Sequence, residues 1–273
     1  MKTTAVIQDI SGLGRCSLAA ALPVLSVMGL QCLPVPTAVY TNQTGFSRFA
    51  SLGCEALLKE FPVLWQEHGV GLDGIYTGFM ASREQLGAAQ TIIDTFRRPG
   101  TLLLIDPVMG DNGQRYPGFD DDLCRAIAQF AAQADVITPN ATEACILAGL
   151  DPGAFMQGSP EQQEAMLRQT CDILPQEQVI ITGWRRGNCV CIISRESNTF
   201  IIYESPAVAG SWSGTGDLFA SALCGGLLQG GNLDQSIRRA MRFLEAALKD
   251  AAHSNLPEAE GIPFERHLKE LLF

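Results

Sequence analysis

Histidine is scarce in this chain: His68, His253 and His267 are the only three in 273 residues. A Ser-His-Asp or Cys-His relay needs an imidazole beside its nucleophile, so that chemistry has little to draw on. Zinc is disfavoured for the same reason, and no Cys-x-x-Cys pair occurs. The nine cysteines are scattered, mostly inside apolar runs, and their number is odd. That pattern suits reduced, buried thiols in a cytoplasmic protein better than a disulfide framework. Positive charge is also short, with 19 Lys and Arg against 29 Asp and Glu, a net charge of -10 and an isoelectric point near 4.8. A nucleic-acid surface or an anionic-membrane surface would need a basic patch that this balance does not supply. No signal peptide is visible, since Met1-Lys2-Thr3-Thr4 leads straight into a strand. Residues 16–47 carry no charge, but Pro23, Pro34 and Pro36 break the run, so no membrane span is expected. Disorder is excluded by a 47% hydrophobic content.

Standard nucleotide loops are missing too. No Gly-x-x-x-x-Gly-Lys-Ser/Thr occurs, and Gly12-x-Gly14 has no third glycine for a dinucleotide fingerprint. Protein-kinase signatures are absent.

What is present centres on Ser211-Trp212-Ser213-Gly214-Thr215-Gly216-Asp217. It runs into Leu218, Phe219, Ala222, Leu223, Leu227 and Leu228 at helical spacing. The first turn of a helix leaves backbone N–H groups unpaired and carries partial positive charge, which suits a phosphate or a developing oxyanion. Gly214 and Gly216 would let a ligand approach the backbone closely. Asp217 brings a carboxylate to the same corner, where it could accept a proton from a hydroxyl. The plainer alternative is that Ser213 or Thr215 caps the helix and Asp217 complements its dipole.

Along the chain, strands are expected at residues 3–8, 31–35, 74–77, 101–105, 135–137 and 178–183, with a hairpin at 188–194 and 198–204. Helices are expected at 17–28, 54–68, 82–97, 120–133, from 140, and at 160–174, 233–252 and 263–271. Alternating strands and helices predict an α/β fold, a three-layer α-β-α sandwich around a mostly parallel sheet, in one domain spanning 1–273. Asp9, Phe79, Asp106, Thr138, Asn140 and Thr182 each fall just after an inferred strand, the edge where such sheets bind ligands. Asp106, Asn140 and Glu143 offer oxygen ligands to a magnesium ion that keeps much of its water. The loop 111–118, with Gly113 and Gly118, could form a lid.

Three motifs stand in order: Asp106-Pro107-Val108-Met109-Gly110-Asp111, Thr138-Pro139-Asn140-x-x-Glu143 and Gly214-Thr215-Gly216-Asp217. Their spacing resembles that of vitamin kinases of the ribokinase superfamily. The stretch from Ile7-Gln8-Asp9 to Thr41-Asn42-Gln43-Thr44-Gly45 is most similar to the pyridoxal/pyridoxamine kinase branch. The resemblance implies transfer of the ATP γ-phosphoryl group to the 5′-hydroxyl of a B6 vitamer. It implies Asp217 as the base and the amides of Gly214, Thr215 and Gly216 as the anion hole. Asp106, Thr138, Asn140 and Glu143 would arrange nucleotide phosphates and Mg2+, with Asp106 and Glu143 holding the metal through water, and Thr182 would lie near the nucleotide. Asp9, Thr44, Gly45 and Phe79 would surround the pyridine ring. A monovalent cation such as K+ and a homodimer are further expectations from the family. The chain departs from the pattern at Asp9, where many relatives have Ser, at Gln43, where they have His, and at Phe79, where Tyr is common. The rival readings are a hydroxymethylpyrimidine kinase and a non-catalytic ligand-binding relative. A sugar or nucleoside kinase would need an inserted β-lid that the early strands do not show.

Overall fold

The computed structural model of the chain describes residues 1–272. Its strands are β1 (Thr3–Ser11), β2 (Gln31–Tyr40), β3 (Ser51–Gly53), β4 (Gly74–Thr77), β5 (Leu102–Ile105) and the short β6 (Gly110–Asp111) and β7 (Gln114–Arg115). There follow β8 (Val136–Ile137), β9 (Gln178–Arg186), β10 (Cys189–Glu196) and β11 (Thr199–Pro206). Nine of them form one sheet in the order β11-β10-β9-β8-β5-β4-β1-β2-β3, while β6 and β7 pair separately. From β9 to β2 every neighbouring pair is parallel; β3, β10 and β11 add antiparallel edges.

The helices are α1 (Ser17–Val27), α2 (Glu55–Leu58), α3 (Glu60–Glu67), α4 (Arg83–Phe96), α5 (Asp121–Ala131), α6 (Ala141–Leu147), α7 (Pro152–Gln157), α8 (Pro160–Ile173), α9 (Thr215–Leu228) and α10 (Leu233–Ala252). The central strands are apolar on both faces because helices cover both. Ile75, Leu103, Ile105 and Ile181 face a core shared with Leu58, Ile92, Ile127 and Leu167. Tyr76, Leu104, Val136 and Ile180 face the other, shared with Leu25, Phe219, Leu223 and Phe243. Helix starts follow local chemistry: Ser82 caps α4, Asp120 caps α5, and Ser159 with Gln162 and Asn232 with Gln235 make reciprocal capping boxes at α8 and α10.

The α/β sandwich expected from the sequence is the observed one, and β4 and α10 have the expected limits. Other limits differ. β1 continues three residues past Gln8, through the start of the turn expected from Asp9, because after an irregularity between Gln8 and Ile10 it resumes pairing as Ile10↔Val39 and Ser11↔Tyr40. β2 accordingly runs to Tyr40 instead of ending at Val35. Thr182 lies inside β9, whose pairing with β10 carries that strand on to Arg186. The single helix expected at 54–68 is two, broken at Lys59. The segment near the C-terminus is a 3₁₀ helix over Glu265–Leu271, and α7 appears where no element was expected. The loop at 111–118 contains most of the β6–β7 hairpin. No helix among the described residues is long and apolar enough to cross a membrane.

Candidate active site

Helix α9 fixes the site by its burial. Leu218 through Gly226 and Leu228 are enclosed, so the helix can neither roll nor slide, and its start is held at the carboxyl edge of the sheet. Gly214 is the N-cap, in the left-handed region at φ 78°, and no side chain caps the helix. The capping roles considered for Ser213 and Thr215 are therefore not used; the Thr215 hydroxyl donates instead to the carbonyl of Trp212 at 2.7 Å. Any Cβ at Gly214 would collide with the Arg15 carbonyl, so the turn requires glycine. Gly216 differs. A Cβ there would meet nothing nearer than Asp106 Oδ2 at 4.0 Å, leaving an open hollow between the helix start and that carboxylate.

Asp217 borders this hollow half-buried. Burial pushes its carboxyl up to about 7; the backbone amide of Ser17 opposes the rise and the charge of Asp9 adds to it. Asp106, at the tip of β5, is raised well above the ordinary carboxylate range by burial, then by Glu143 and Asp217. The structure thus links four acids in a row, with Glu143 and Asp217 acting on Asp106 and Asp9 acting on Asp217.

Glu143 has a structural task that the sequence did not disclose in full. Its Oε1 accepts from the amides of Met109 at 3.0 Å and Gly110 at 3.5 Å, and its Oε2 accepts from Asn140 N at 2.8 Å. Asn140 Oδ1 accepts in return from Glu143 N at 3.0 Å, a capping box on α6, while Asn140 Nδ2 donates to the Gly110 carbonyl at 2.7 Å. These two side chains therefore pin the β6–β7 hairpin to α6. Burial still raises Glu143 to about 8 despite those amides. The buried Thr138 hydroxyl faces Asp106 and opposes the rise of its carboxyl, and Thr182 is tied to this corner by its amide, which donates to the Pro139 carbonyl at 2.9 Å. Among the described residues no group of three or more His, Cys, Asp or Glu side chains forms a closed metal cage. The mutually repelling carboxylates of Asp106 and Glu143, an oxygen-only donor set, fit a hydrated magnesium ion all the same, since that ion takes few protein ligands.

The substrate-side residues are more dispersed. Thr44 and Gly45 are exposed on the loop after β2, which is held by Gln43: its Oε1 accepts from Gly45 N at 2.6 Å and its Nε2 donates to the Ala259 carbonyl at 2.9 Å. Phe79, half-buried after β4, lies 6.5 Å from the Tyr40 ring and 5.7 Å from Phe119, and Tyr116 continues the row at 6.3 Å. Sequence reasoning missed Ser17. This non-glycine residue sits at φ 47°, where its amide opposes the rise of Asp217. Nothing in its local sequence signals that conformation, which falls where the start of α9 packs against the backbone of Arg15 and Cys16.

A glycine-walled helix start facing acidic strand ends of a doubly wound sheet is the arrangement of the ribokinase-like class. A model of the family described as phosphomethylpyrimidine kinase matches residues 16–260. The chain belongs to that family. A solved structure of a phosphomethylpyrimidine kinase homologue from Bacteroides thetaiotaomicron, in a form with pyridoxal, is 33% identical, with a TM-score of 0.91 over 99% of this chain and 95% of that one. Pyridoxal kinase from Lactobacillus plantarum is 27% identical, with a TM-score of 0.88 over 99% and 96%. Among curated relatives, a pyridoxine/pyridoxal/pyridoxamine kinase of Bordetella avium is 26% identical over 84% of this chain and 78% of its own length. A hydroxymethylpyrimidine/phosphomethylpyrimidine kinase of Rhizobium meliloti is 23% identical over 94% and 96%. The matches to two yeast relatives with pyridoxal-kinase names, from Schizosaccharomyces pombe and Saccharomyces cerevisiae, span 57% and 61% of those proteins.

Proposed function

We propose that the chain phosphorylates the 5′-hydroxyl of a B6 vitamer with ATP. The observation that carries this reading is Asp217 bordering an open, glycine-walled helix start that also faces Asp106. Phosphoryl transfer asks a protein mainly for position and charge stabilisation. Asp217 accepts the proton of the hydroxyl as its oxygen bonds to the γ-phosphorus, and the bond to the bridging oxygen of ADP breaks. The amides from Gly214 to Gly216 face the charge on the transferring group. Magnesium, when bound, would neutralise phosphate charge, with Asp106 as its carboxylate neighbour and Glu143 keeping the hairpin beside it in place. Thr138, Asn140 and Thr182 border the nucleotide side. Phe79, Thr44 and Gly45 lie toward the ring, with Asp9 between ring and base.

A second reading, phosphorylation of a hydroxymethylpyrimidine, draws support from the family match and the Rhizobium relative. Both substrates are flat aza-aromatic rings carrying a hydroxymethyl group, so fold cannot separate them. A coupled assay of ADP release with pyridoxamine, pyridoxal, pyridoxine and hydroxymethylpyrimidine decides. Turnover of the pyrimidine alone would replace the B6 reading, and release unaffected by any of the four would refute both.

A further inference from the structure

Asp9 is only 5% exposed, yet no ion pair reaches it among the described residues. The nearest basic residue along the chain, Arg15, is committed to Glu265 at 2.6 Å. What Asp9 receives is a hydroxyl, Ser11 Oγ, at 3.4 Å from its Oδ2, with Ser17 as a second hydroxyl neighbour. The Asp217 carboxyl, the Cys16 thiol and the Tyr40 hydroxyl are all raised, by burial first, and the negative charge of Asp9 adds to each rise. A buried carboxylate beside the Asp217 carboxyl, served by two hydroxyls and a backbone amide but by no cation, is costly to keep ionised. Nothing in the way β1 folds demands it, because the backbone pairing on either side runs through Gln8, Ile10 and Ser11. The missing element is a positive charge next to the group that Asp217 deprotonates.

On a B6 ring the C4 substituent lies ortho to the reacting hydroxymethyl group, so a carboxylate neighbouring the base is placed to meet it. The three vitamers differ at that position. Pyridoxamine presents an ammonium, pyridoxine a neutral hydroxyl and pyridoxal an aldehyde that can only accept hydrogen bonds. We propose that Asp9 is a specificity-determining residue that selects an acceptor bearing an ammonium group ortho to its hydroxymethyl, hence pyridoxamine over pyridoxine and pyridoxal. The selection rests on the B6-kinase reading above. It works by offering a charge-assisted hydrogen bond to one vitamer and two opposed acceptors to another.

The test compares kcat/KM for the three vitamers in the wild type, Asp9→Asn and Asp9→Ser, alongside calorimetric titration of each vitamer without ATP. The wild type is expected to favour pyridoxamine over pyridoxal by at least about tenfold. Both variants are expected to reduce that ratio by about tenfold or more, in kcat/KM and in Kd alike, whatever loss is common to all three substrates. An unchanged ratio in the two variants overturns the proposal, as does an equal loss for every vitamer with a lowered melting temperature, which would mark Asp9 as structural. If the wild type turns over no vitamer, the kinase reading fails by itself. The calorimetric ratios still report whether Asp9 selects the ammonium.

Discussion

At the scale of the residue, Asp217 has to satisfy two opposing demands. To accept a proton it must be ionised, but its surroundings hold its carboxyl at about 7, with burial as the main cause. In the free enzyme kcat/KM should therefore climb roughly tenfold per pH unit below about 7 and level off above it. Asp217→Asn should remove that limb and lower turnover by about 10²- to 10⁴-fold. Stability runs the other way. A carboxyl whose folded pKa exceeds its unfolded value favours folding while protonated, and that advantage is lost as pH rises through the folded value. Asp217→Asn should accordingly melt higher than the wild type, by a larger margin at pH 8 than at pH 5. A pH-independent rate, or equal melting shifts at both pH values, would show that the carboxyl is not held in this way. The place of Asp217 in the first turn of a buried helix was legible in the sequence because small residues run there straight into apolar residues at helical spacing. The role of Ser17 was not, because its amide meets Asp217 only once the fold brings α1 and α9 together.

At the scale of the element, the two glycines at the start of α9 do different jobs, and substitution separates them. Gly214→Ala places a Cβ in the left-handed region and against the Arg15 carbonyl, so the turn must move. A melting loss of several degrees together with loss of turnover is expected. Gly216→Ala meets only open space and replaces a glycine inside a helix, which by propensity alone favours the fold by about 1 kcal/mol. It should fold as well as the wild type while turnover falls about tenfold or more, because the added methyl occupies the hollow where the transferring group would sit. Thermal melts beside steady-state rates distinguish the two, and full activity in Gly216→Ala would mean that the hollow is not an anion site. The buried strands and long amphipathic helices were readable because an apolar run or a 3.6-residue period survives in one dimension. The break at Lys59, the extension of β1 and the short α7 were not. The extension depends on β2, which pairs with β1 beyond its bulge, and α7 is a short turn of helix packed on α6 and α8; nothing in the structure explains the break at Lys59. Glu143 shows the same limit, since its place after Thr-Pro-Asn suggested a metal-side acid but its grip on Met109 and Gly110 needed the fold to bring the hairpin over.

At the scale of the molecule, four acids converge on one edge of a chain whose net charge is already -10. Asp9 and Asp106 are raised by burial, Asp217 stands at about 7 and Glu143 at about 8. All four favour the folded state when protonated, so each withdraws stability as pH rises through its folded value. Some carboxylates act in the opposite sense: Asp121, Asp234 and Glu245 are lowered chiefly by hydrogen bonds to Arg115, Arg238 and Lys249. These pairs lie at the surface, where solvent screens them, and their loss falls in the acid range. The melting temperature should therefore pass its maximum below pH 7 and decline toward pH 8.5. A cation at the site, bound together with the phosphates it neutralises, would oppose that decline by compensating the ionised acids. Magnesium with a non-hydrolysable ATP analogue at about 100 times Kd should add about 2.7 kcal/mol to folding stability. At about 2–4 °C per kcal/mol, that is a rise of some 5–10 °C. Because binding favours the ionised acids, affinity itself should tighten with pH, and at one fixed ligand concentration the rise should be larger at pH 8.5 than at pH 6. Scanning fluorimetry with magnesium, the analogue and both together measures it. Equal shifts at the two pH values would mean that these four carboxyls do not govern how the site meets its ligands.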